Sequence, residues 1–287
     1  MAPSNIKQQL IDTLGKHFPA VEPAGFHFAP VSGLSSESWR ISAPGFAGLA
    51  RRQSAAGRLS GTDRQREFRL LRQMAGAGLA PRPLLWDGRW LIVEWAAGRA
   101  ATAAEFFDLL CNGDLARYLV RIHQRPRSGC PLALKPLFAR HWQQMDGRRR
   151  SPSLLRLHQH FQREALPRML AVAPLHLDIH AENLLLADGK MMLIDWEYAA
   201  DGDIALELAF IFRANQLDPE TQRRFLHTYR QQRPGFSIAC LQQHTAQWLP
   251  WVDYLALMWY EVRWRQTGQD RFLRALAPLR RQLGIGE

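Results

Sequence analysis

The side chains that could do chemistry concentrate in one segment, HLDIHAEN at His176–Asn183, and in Asp195, which lies twelve residues after Asn183. His176, Asp178 and His180 alternate, and on an extended segment they could point the same way and hold a metal ion. Asp178, Asn183 and Asp195 instead offer carboxylate and amide oxygens, which favour magnesium and suit phosphoryl transfer. We favour the second interpretation, because the metal triad leaves Asn183 and Asp195 unexplained.

A predicted hairpin brings these oxygen ligands together. The runs LLLA and MMLID flank the turn dipeptide Asp188-Gly189, which predicts two antiparallel strands. Closing this hairpin places Asp178, Asn183 and Asp195 at one end of it. In phosphoryl transfer one carboxylate accepts or orients the proton of the acceptor hydroxyl, while an amide oxygen and a second carboxylate hold magnesium on the nucleotide phosphates.

The surrounding sequence changes character near residue 95. Before it, short apolar runs alternate with glycine and serine around one helical stretch, DRQREFRLLRQMAGAG, which should end at Gly76 or Gly78. Asp87-Gly88 predicts a second hairpin. After residue 95 the apolar spacing is helical apart from the hairpin island. The prediction is an α+β fold with a small antiparallel sheet in 1–95 and a mainly helical part in 96–287.

Composition limits the class of protein. With 287 residues and 47% hydrophobic content, the chain can bury a sizeable core. The net charge of +11 fits an anionic ligand such as a nucleotide, but many arginines fall on solvated helix faces, so no nucleic-acid partner is predicted. No apolar run approaches a membrane span, the N-terminal segment lacks a signal-peptide core, and the three cysteines lie far apart. We expect a cytoplasmic protein without membrane contact.

The pattern H-x-D-x-x-x-x-N, followed by an apolar strand and I-D-W, resembles the catalytic segment of small-molecule kinases related to aminoglycoside phosphotransferases and choline kinases. HLDIHAEN, LIDWEYA, DGDIALELA and EVRWRQTG are similar to the bacterial thiamine kinases within that family. The resemblance is specific in Pro174 to Ala209 and Tyr260 to Gly268. It implies a two-lobed protein-kinase-like fold, ATP and Mg²⁺ as cofactors, and transfer of the γ-phosphoryl group to the hydroxyl of thiamine.

The resemblance also implies roles for the residues of the loop. Asp178 matches the catalytic aspartate, and Asn183 and Asp195 match the magnesium ligands. His176 is expected to orient the loop by hydrogen bonding and to do no chemistry. For His180 two alternatives stay open, since it matches a histidine often present in this loop but could equally serve in packing or loop bonding.

The nucleotide site is predicted from the N-terminal part. The stretch VSGLSSES occupies the place of the phosphate-covering loop, where Ser35 and Ser36 would meet phosphate oxygens. The strand LARRQ supplies a phosphate-binding arginine, Arg52 or, one register over, Arg51, and the resemblance favours Arg52. Glu67 is the expected partner of that arginine. At Glu94 and Trp95, a connector between the lobes, adenine is expected to bind backbone groups.

The acceptor pocket should suit a cationic, flat-ringed substrate. Carboxylates and aromatic faces are the groups expected there. The candidates are Glu197, Asp201, Asp203 and Glu207 for charge, and Trp196, Tyr198, Trp259, Tyr260 and Trp264 for ring faces. Asp203 could instead cap the helix IALELAFIF, and aromatics at helical spacing could form core.

The same residues allow three alternatives to a thiamine kinase. The first is a related kinase acting on choline, an aminoglycoside or another alcohol, because cationic acceptors share the same requirements. The second is a non-catalytic nucleotide-binding regulatory module, and the third is a nucleic-acid binder suggested by charge alone.

Overall fold

The N-terminal part is built on one antiparallel sheet. The structure is a computed structural model that describes residues 3–19, 25–31 and 38–285. Five strands pair in the order β1-β2-β3-β5-β4. Their bounds are β1 His27–Val31, β2 Ser38–Ala43, β3 Phe46–Arg52, β4 Pro83–Trp86 and β5 Trp90–Glu94. The hairpin predicted at Asp87-Gly88 is confirmed, since these residues lie between β4 and β5.

Three helices accompany this sheet, and one of them carries site residues. They are α1 Pro3–His17, α2 Ala55–Ser60 and α3 Arg64–Ala75. α3 begins after Asp63, whose carboxylate accepts the N–H groups of Gln65 and Arg66, and it ends just before Gly76, as predicted. Its buried residues are Arg64, Glu67, Leu70, Leu71 and Met74. Because this spacing marks one helix face, the two charged residues are turned toward the protein interior together with the apolar ones.

The hairpin predicted at Asp188-Gly189, which is expected to carry the catalytic residues, is confirmed as a hairpin. β8 Leu184–Ala187 and β9 Lys190–Leu193 are antiparallel, and β6 Arg99–Ala100 adds a third strand beside β8. The turn has positive φ at both Asp188 and Gly189, the geometry of a tight hairpin turn. Gly98, just before β6, has φ +129°, and a Cβ atom there would lie 2.9 Å from the carbonyl oxygen of Leu186. Glycine is therefore required for this strand to approach β8.

A two-stranded sheet that the sequence did not predict brackets the catalytic segment. β7 Val172–Leu175 precedes it, and β10 Ala200–Asp203 follows Asp195, with Leu175 opposite Ala200 in an antiparallel register. The pairing fixes both ends of the segment that carries Asp178 and Asp195. It also delivers the chain directly into α8, because Asp203 is the N-cap of that helix.

The remaining chain is mainly helical, which confirms the α+β prediction. The helices are α4 Ala103–Cys111, α5 Asp114–His123, α6 Leu134–Gln144, α7 Pro152–Arg163, α8 Ile204–Ala214, α9 Pro219–Gln232, α10 Ile238–Thr267 and α11 Asp270–Gln282. None of the helices within the described ranges is long and apolar enough to cross a bilayer. The lobe boundary at residue 95, which falls between β5 and β6, stays a prediction.

One hydrophobic core joins the two parts. Leu70, Leu71 and Met74 of α3 pack in the same cluster as Leu184 and Leu193 of the catalytic hairpin. α3 is therefore held against the hairpin by apolar burial, which contributes roughly 25 cal/mol for each Å² removed from water. This packing sets the distance between the charged face of α3 and Asp195.

Candidate active site

His176 ties the two halves of the catalytic segment together. Its ring is fully buried against Trp196, with ring centroids 4.7 Å apart. The Asp178 N–H donates to Nδ1 at 3.2 Å, so Nε2 carries the proton and donates to the Ile194 carbonyl oxygen at 2.9 Å. Burial lowers the pKa of His176 and keeps the ring neutral. These contacts agree with the expected loop-orienting role and leave neither ring nitrogen for a metal ion.

Glu207 anchors the loop that begins at His176 by accepting its main-chain N–H groups. Its Oε1 accepts the N–H groups of His176 and Leu177 at 2.6 and 2.7 Å, and its Oε2 lies 2.7 Å from Nε2 of His123. The other nitrogen of His123 is 2.7 Å from the hydroxyl of Tyr229. Leu177 has φ +65°, which is costly for a branched residue and persists because Glu207 holds its amide. Glu207 is completely buried, so its predicted role as a substrate ligand is corrected to that of a loop anchor.

Asp178, the predicted catalytic residue, and Asn183, a predicted magnesium ligand, contact each other directly. Nδ2 of Asn183 donates to Oδ2 and to the main-chain oxygen of Asp178, both at 2.9 Å. Both bonds use the amide nitrogen, so Oδ1 of Asn183 is left to act as an oxygen ligand. The Asp178 side chain is 34% exposed and can meet an acceptor hydroxyl.

His180 lies beside Asp178, with its Nε2 3.6 Å from Oδ1 of that carboxylate. Burial would lower the pKa of His180, but the neighbouring Asp178 outweighs burial and raises the pKa above its ordinary value of 6.5. A protonated His180 would therefore pair with Asp178. Whether His180 takes part in the chemistry or only in loop bonding remains an open prediction.

Asp195 is paired with an arginine from the sheet. Nη1 of Arg51 lies 2.6 Å from Oδ1 of Asp195 and 3.0 Å from Oε1 of Glu67. Burial alone would raise the pKa of Asp195, but the charge of Arg51 outweighs it and holds the pKa below its usual value. The predicted pairing of an LARRQ arginine with Glu67 is present.

The arginine in this network is Arg51, whereas the sequence analysis favoured Arg52. Adjacent residues of a strand point to opposite faces of the sheet. Arg51 is the residue of β3 that faces α3 and Asp195, so the register that places it there turns Arg52 to the other side. The phosphate-binding role accordingly passes to Arg51 as a prediction.

Sequence reasoning missed a second buried arginine. Arg64 of α3 is 1% exposed, and its Nη1 and Nη2 lie 2.5 Å from Oε2 of Glu67 and 3.1 Å from Oε2 of Glu197. Arg66 donates to the main-chain oxygen of Glu197 at 3.1 Å. Arg64 lies three residues before Glu67 on the helix, a spacing that places both on one face, but charged residues at this spacing do not indicate that the face is buried.

Glu197 therefore faces α3, which corrects its prediction as a substrate carboxylate. Burial and the neighbouring Asp195 charge raise the pKa of Glu197 to about 7. The pKa of Glu197 rises because the two arginines already balance the charges of Glu67 and Asp195. A third negative charge in the same buried cluster is the least favourable one.

Three further pocket candidates are buried structural groups. Asp201 accepts the N–H groups of Ser128, Gly129 and Cys130 at 2.8 to 3.1 Å. Asp203 caps α8, as the sequence allowed, and also accepts Nε1–H of Trp248 at 2.7 Å. Trp196 is completely buried and donates its indole N–H to the Leu193 carbonyl oxygen. These three predictions are corrected, because all three side chains are buried and hydrogen-bonded within the protein.

Tyr198 contacts an aromatic pair on α10, Trp259 and Tyr260. Trp259 donates its indole N–H to the hydroxyl of Tyr198 at 3.1 Å, and the Trp259 and Tyr260 rings meet edge to face at 5.3 Å. Burial raises the pKa of Tyr198 and of Tyr260, and the negative charge of Asp178 adds to both shifts. Trp264 packs under the guanidinium of Arg149 at 4.9 Å, and its contact with substrate stays a prediction.

The connector expected to bind adenine has its amides paired. The N–H of Glu94 donates to the Arg82 carbonyl oxygen at 2.8 Å, and the N–H of Trp95 donates to the Ala47 carbonyl oxygen at 3.0 Å. Adenine binding at Glu94 and Trp95 would therefore use their carbonyl oxygens, and it stays a prediction. Ser35 and Ser36 lie outside the described residues.

The oxygen ligands fit magnesium better than zinc. Within residues 3–19, 25–31 and 38–285 there is no cluster of three or more histidine, cysteine, aspartate or glutamate side chains able to hold a metal ion. Asn183 Oδ1 and Asp195 make a two-residue oxygen set, which suits an ion that takes its other ligands from phosphate and water. A zinc site formed by His176, Asp178 and His180 is therefore excluded, because both ring nitrogens of His176 are hydrogen-bonded.

Comparison with known proteins agrees with this chemistry. Residues 29–244 match the model of the phosphotransferase enzyme family. A thiamine kinase of Salmonella heidelberg (strain SL476) is 40% identical over 218 residues, which are 76% of each chain. Among solved structures, the choline kinase LicA of Streptococcus pneumoniae covers 98% of this chain and 99% of its own, with a TM-score of 0.75 and 14% identity. A choline/ethanolamine kinase family protein of Mesorhizobium loti covers 97% and 93%, with a TM-score of 0.67 and 16% identity. The last two similarities concern the fold alone.

Proposed function

The chain belongs to the phosphotransferase enzyme family, and from this premise we propose that it transfers the γ-phosphoryl group of ATP to the hydroxyl of thiamine, giving thiamine monophosphate. The observation that carries the proposal is the contact of Asn183 with Asp178, at the end of the hairpin where the N–H of Ile194, the residue before Asp195, donates to the Asn183 carbonyl oxygen. Two carboxylates and an amide are the groups that phosphoryl transfer uses. The choice of thiamine is supported by the 40% identity to a thiamine kinase.

In the proposed mechanism Asp178 accepts or orients the proton of the acceptor hydroxyl. Asn183 fixes the carboxylate through its amide nitrogen, so Oδ1 of Asp178 is directed toward the acceptor side, where His180 also lies. Oδ1 of Asn183 and the carboxylate of Asp195 would hold Mg²⁺, which supplies positive charge to the nucleotide phosphates when bound. The attacking oxygen, the phosphorus and the leaving oxygen are then held in line by positioning rather than by covalent chemistry.

Arg51 is proposed to contact the nucleotide phosphates. It projects from β3 toward Asp195, and its planar guanidinium has further N–H donors beyond the Nη1 group that bonds Glu67 and Asp195. Glu67 would keep this arginine in place while its other donors meet phosphate oxygens. An arginine therefore takes the position that the sequence analysis expected for a phosphate-binding cation.

The acceptor pocket is proposed to use aromatic faces more than carboxylates. Four acidic candidates are excluded by burial, which leaves Asp178 as the carboxylate nearest to the bound alcohol. Tyr198, Trp259 and Tyr260 form a chain of contacting side chains that could stack on the flat rings of thiamine or face the thiazolium charge. Choline and aminoglycosides are also cationic, so these aromatic residues alone do not determine which acceptor binds.

The decisive experiment is ADP release from the purified protein with MgATP and one acceptor at a time: thiamine, choline, an aminoglycoside, homoserine or none. The expected result is release that depends on thiamine, with thiamine monophosphate identified by mass spectrometry. Asp178→Asn is the matched control, because it keeps the side-chain volume and removes the base. Turnover with another alcohol would replace the substrate, and ATP binding without any turnover would favour the regulatory module.

Location and macromolecular partners remain predictions. The cytoplasmic location and the absence of a nucleic-acid partner were both inferred from composition and charge. Binding to random DNA with steep salt dependence, in a protein that shows no ATP turnover, would support the nucleic-acid alternative instead.

A further inference from the structure

Arg64 and Glu197 connect the phosphate side of the site to the magnesium side. We infer that they act as positioning residues, a lock that holds Arg51 and Asp195 in register for MgATP. The inference rests on the proposed nucleotide site and does not depend on which alcohol is the acceptor. It begins from Arg64, a 1% exposed guanidinium whose Nη1 and Nη2 contact two different carboxylates.

The first of those carboxylates belongs to Glu67. Its two oxygens are divided between two arginines, Oε1 to Arg51 at 3.0 Å and Oε2 to Arg64 at 2.5 Å. Glu67 is 2% exposed, so neither oxygen is exchanged for water without a large desolvation cost. The rotamer of Glu67, and through it the position of the Arg51 guanidinium, is therefore set by Arg64.

The second carboxylate belongs to Glu197, two residues after Asp195. Arg64 bonds its side chain, and Arg66, two residues further along α3, bonds its main-chain oxygen. α3 is thus fastened to the segment that follows Asp195 at both the side chain and the backbone. Asp195 has φ +63°, in the small left-handed region that few non-glycine residues adopt, so its backbone has little room to adjust. A shift of Glu197, two residues away, therefore also moves the carboxylate of Asp195.

The shape of arginine is required for this lock. A guanidinium presents donors on two branches, each aimed at a separate carboxylate, whereas an ammonium is a single point of charge. A buried ion pair by itself is weak evidence for stability, because apolar side chains can replace it at little cost. We assign a positioning role because the contacts of Arg64 lead through Glu67 to Arg51 and through Glu197 to Asp195.

The test uses two conservative variants and one matched control. Arg64→Lys keeps the charge but cannot reach both carboxylates, and Glu197→Gln keeps the shape but removes one charge. Arg69→Met removes an arginine from the same helix at an exposed position. MgATP affinity is measured by calorimetry without acceptor, turnover and the two KM values by ADP release, and folding by circular dichroism and thermal unfolding.

Arg64→Lys should raise the Kd for MgATP about tenfold, the equivalent of one charge-assisted hydrogen bond. It should lower kcat about 10²-fold through misplacement of the reacting groups. The acceptor KM should stay within about twofold, as should every constant of Arg69→Met. Glu197→Gln should shift the same constants in the same direction by a smaller factor.

A folded Arg64→Lys with unchanged MgATP affinity and turnover would overturn the lock, as would an equal rise of the nucleotide and acceptor KM values. If Arg64→Lys fails to fold, Glu197→Gln decides between the same outcomes. A wild-type protein that binds MgATP but phosphorylates no acceptor would refute the proposed function and leave the affinity test of the lock in force.

Discussion

Replacing Arg51 by methionine is the sharpest single test of the site, because one guanidinium contacts both Glu67 and Asp195. The substitution keeps an unbranched stem and removes only the charged head. Before the change, the arginines Arg51 and Arg64 face three carboxyl groups, those of Glu67, Asp195 and Glu197. Afterwards the three carboxyl groups face one arginine.

The magnitude follows from the burial of the three partners. Arg51 is 11% exposed and Glu67 2%, while Asp195 is 29% exposed and can regain part of its hydration. Removing one member of a buried ion pair costs about 3–5 kcal/mol, and the hydration of Asp195 favours the lower end. We therefore expect the free energy of unfolding to fall by about 3 kcal/mol. Separately from this loss of stability, the folded variant should show a kcat/KM for MgATP that is about 10- to 10²-fold lower, because charged hydrogen bonds to phosphate are lost.

The assay compares Arg51→Met with Arg52→Met, since the two residues are neighbours in β3 and differ in the face they occupy. Urea unfolding gives the stability change, and ADP release at saturating acceptor with varied MgATP gives kcat/KM. Arg52→Met should affect both quantities much less. If Arg52→Met lost MgATP-dependent activity while Arg51→Met kept it, the assignment of the phosphate-binding arginine made here would be refuted.

Three further outcomes are expected. Asp178→Asn should lower kcat by about 10²- to 10⁴-fold with little change in MgATP affinity by calorimetry, and an equal loss of both would argue against its role as base. Glu207→Gln should lower the free energy of unfolding in urea by about 3 kcal/mol, because the loop amides lose a charged acceptor; a change near zero would remove Glu207 as an anchor. The pKa of His180 is raised in the folded state, so its pairing with Asp178 stabilises the protein fully below pH 6.5 and is lost as pH rises through the folded pKa. His180→Gln should therefore destabilise the protein in urea on the acid side of that range and not on the alkaline side, and a pH-independent effect would contradict the pairing.

The parts of the site that the sequence predicted are those determined by local geometry. Asp178, Asn183 and Asp195 are joined by one loop and one hairpin, and the Asp188-Gly189 turn marks that hairpin without reference to the rest of the chain. Spacing along the sequence is enough to bring such groups together. The helix start at Asp63 and its end before Gly76 were accessible for the same reason.

The acidic stretch from Asp195 to Glu207 shows where local reasoning stops. Its carboxylates suggested a pocket for a cation, yet Asp201 and Glu207 are satisfied by main-chain N–H groups about 30 to 73 positions away in the sequence. A sequence shows that a carboxylate is present but not whether distant amides already surround it. The register of Arg51 and Arg52 escaped prediction for a related reason, since one position along a strand reverses the face.

The contact between Arg51 and Asp195 spans 144 positions of the sequence. Joining residues so far apart costs conformational entropy that only the rest of the fold can offset. A chain released from synthesis before residue 195 would carry the arginine side of the site without its carboxylate partner. The proposed nucleotide site therefore requires the completed fold, and MgATP, if it binds that state alone, would draw the folding equilibrium of the whole chain toward it.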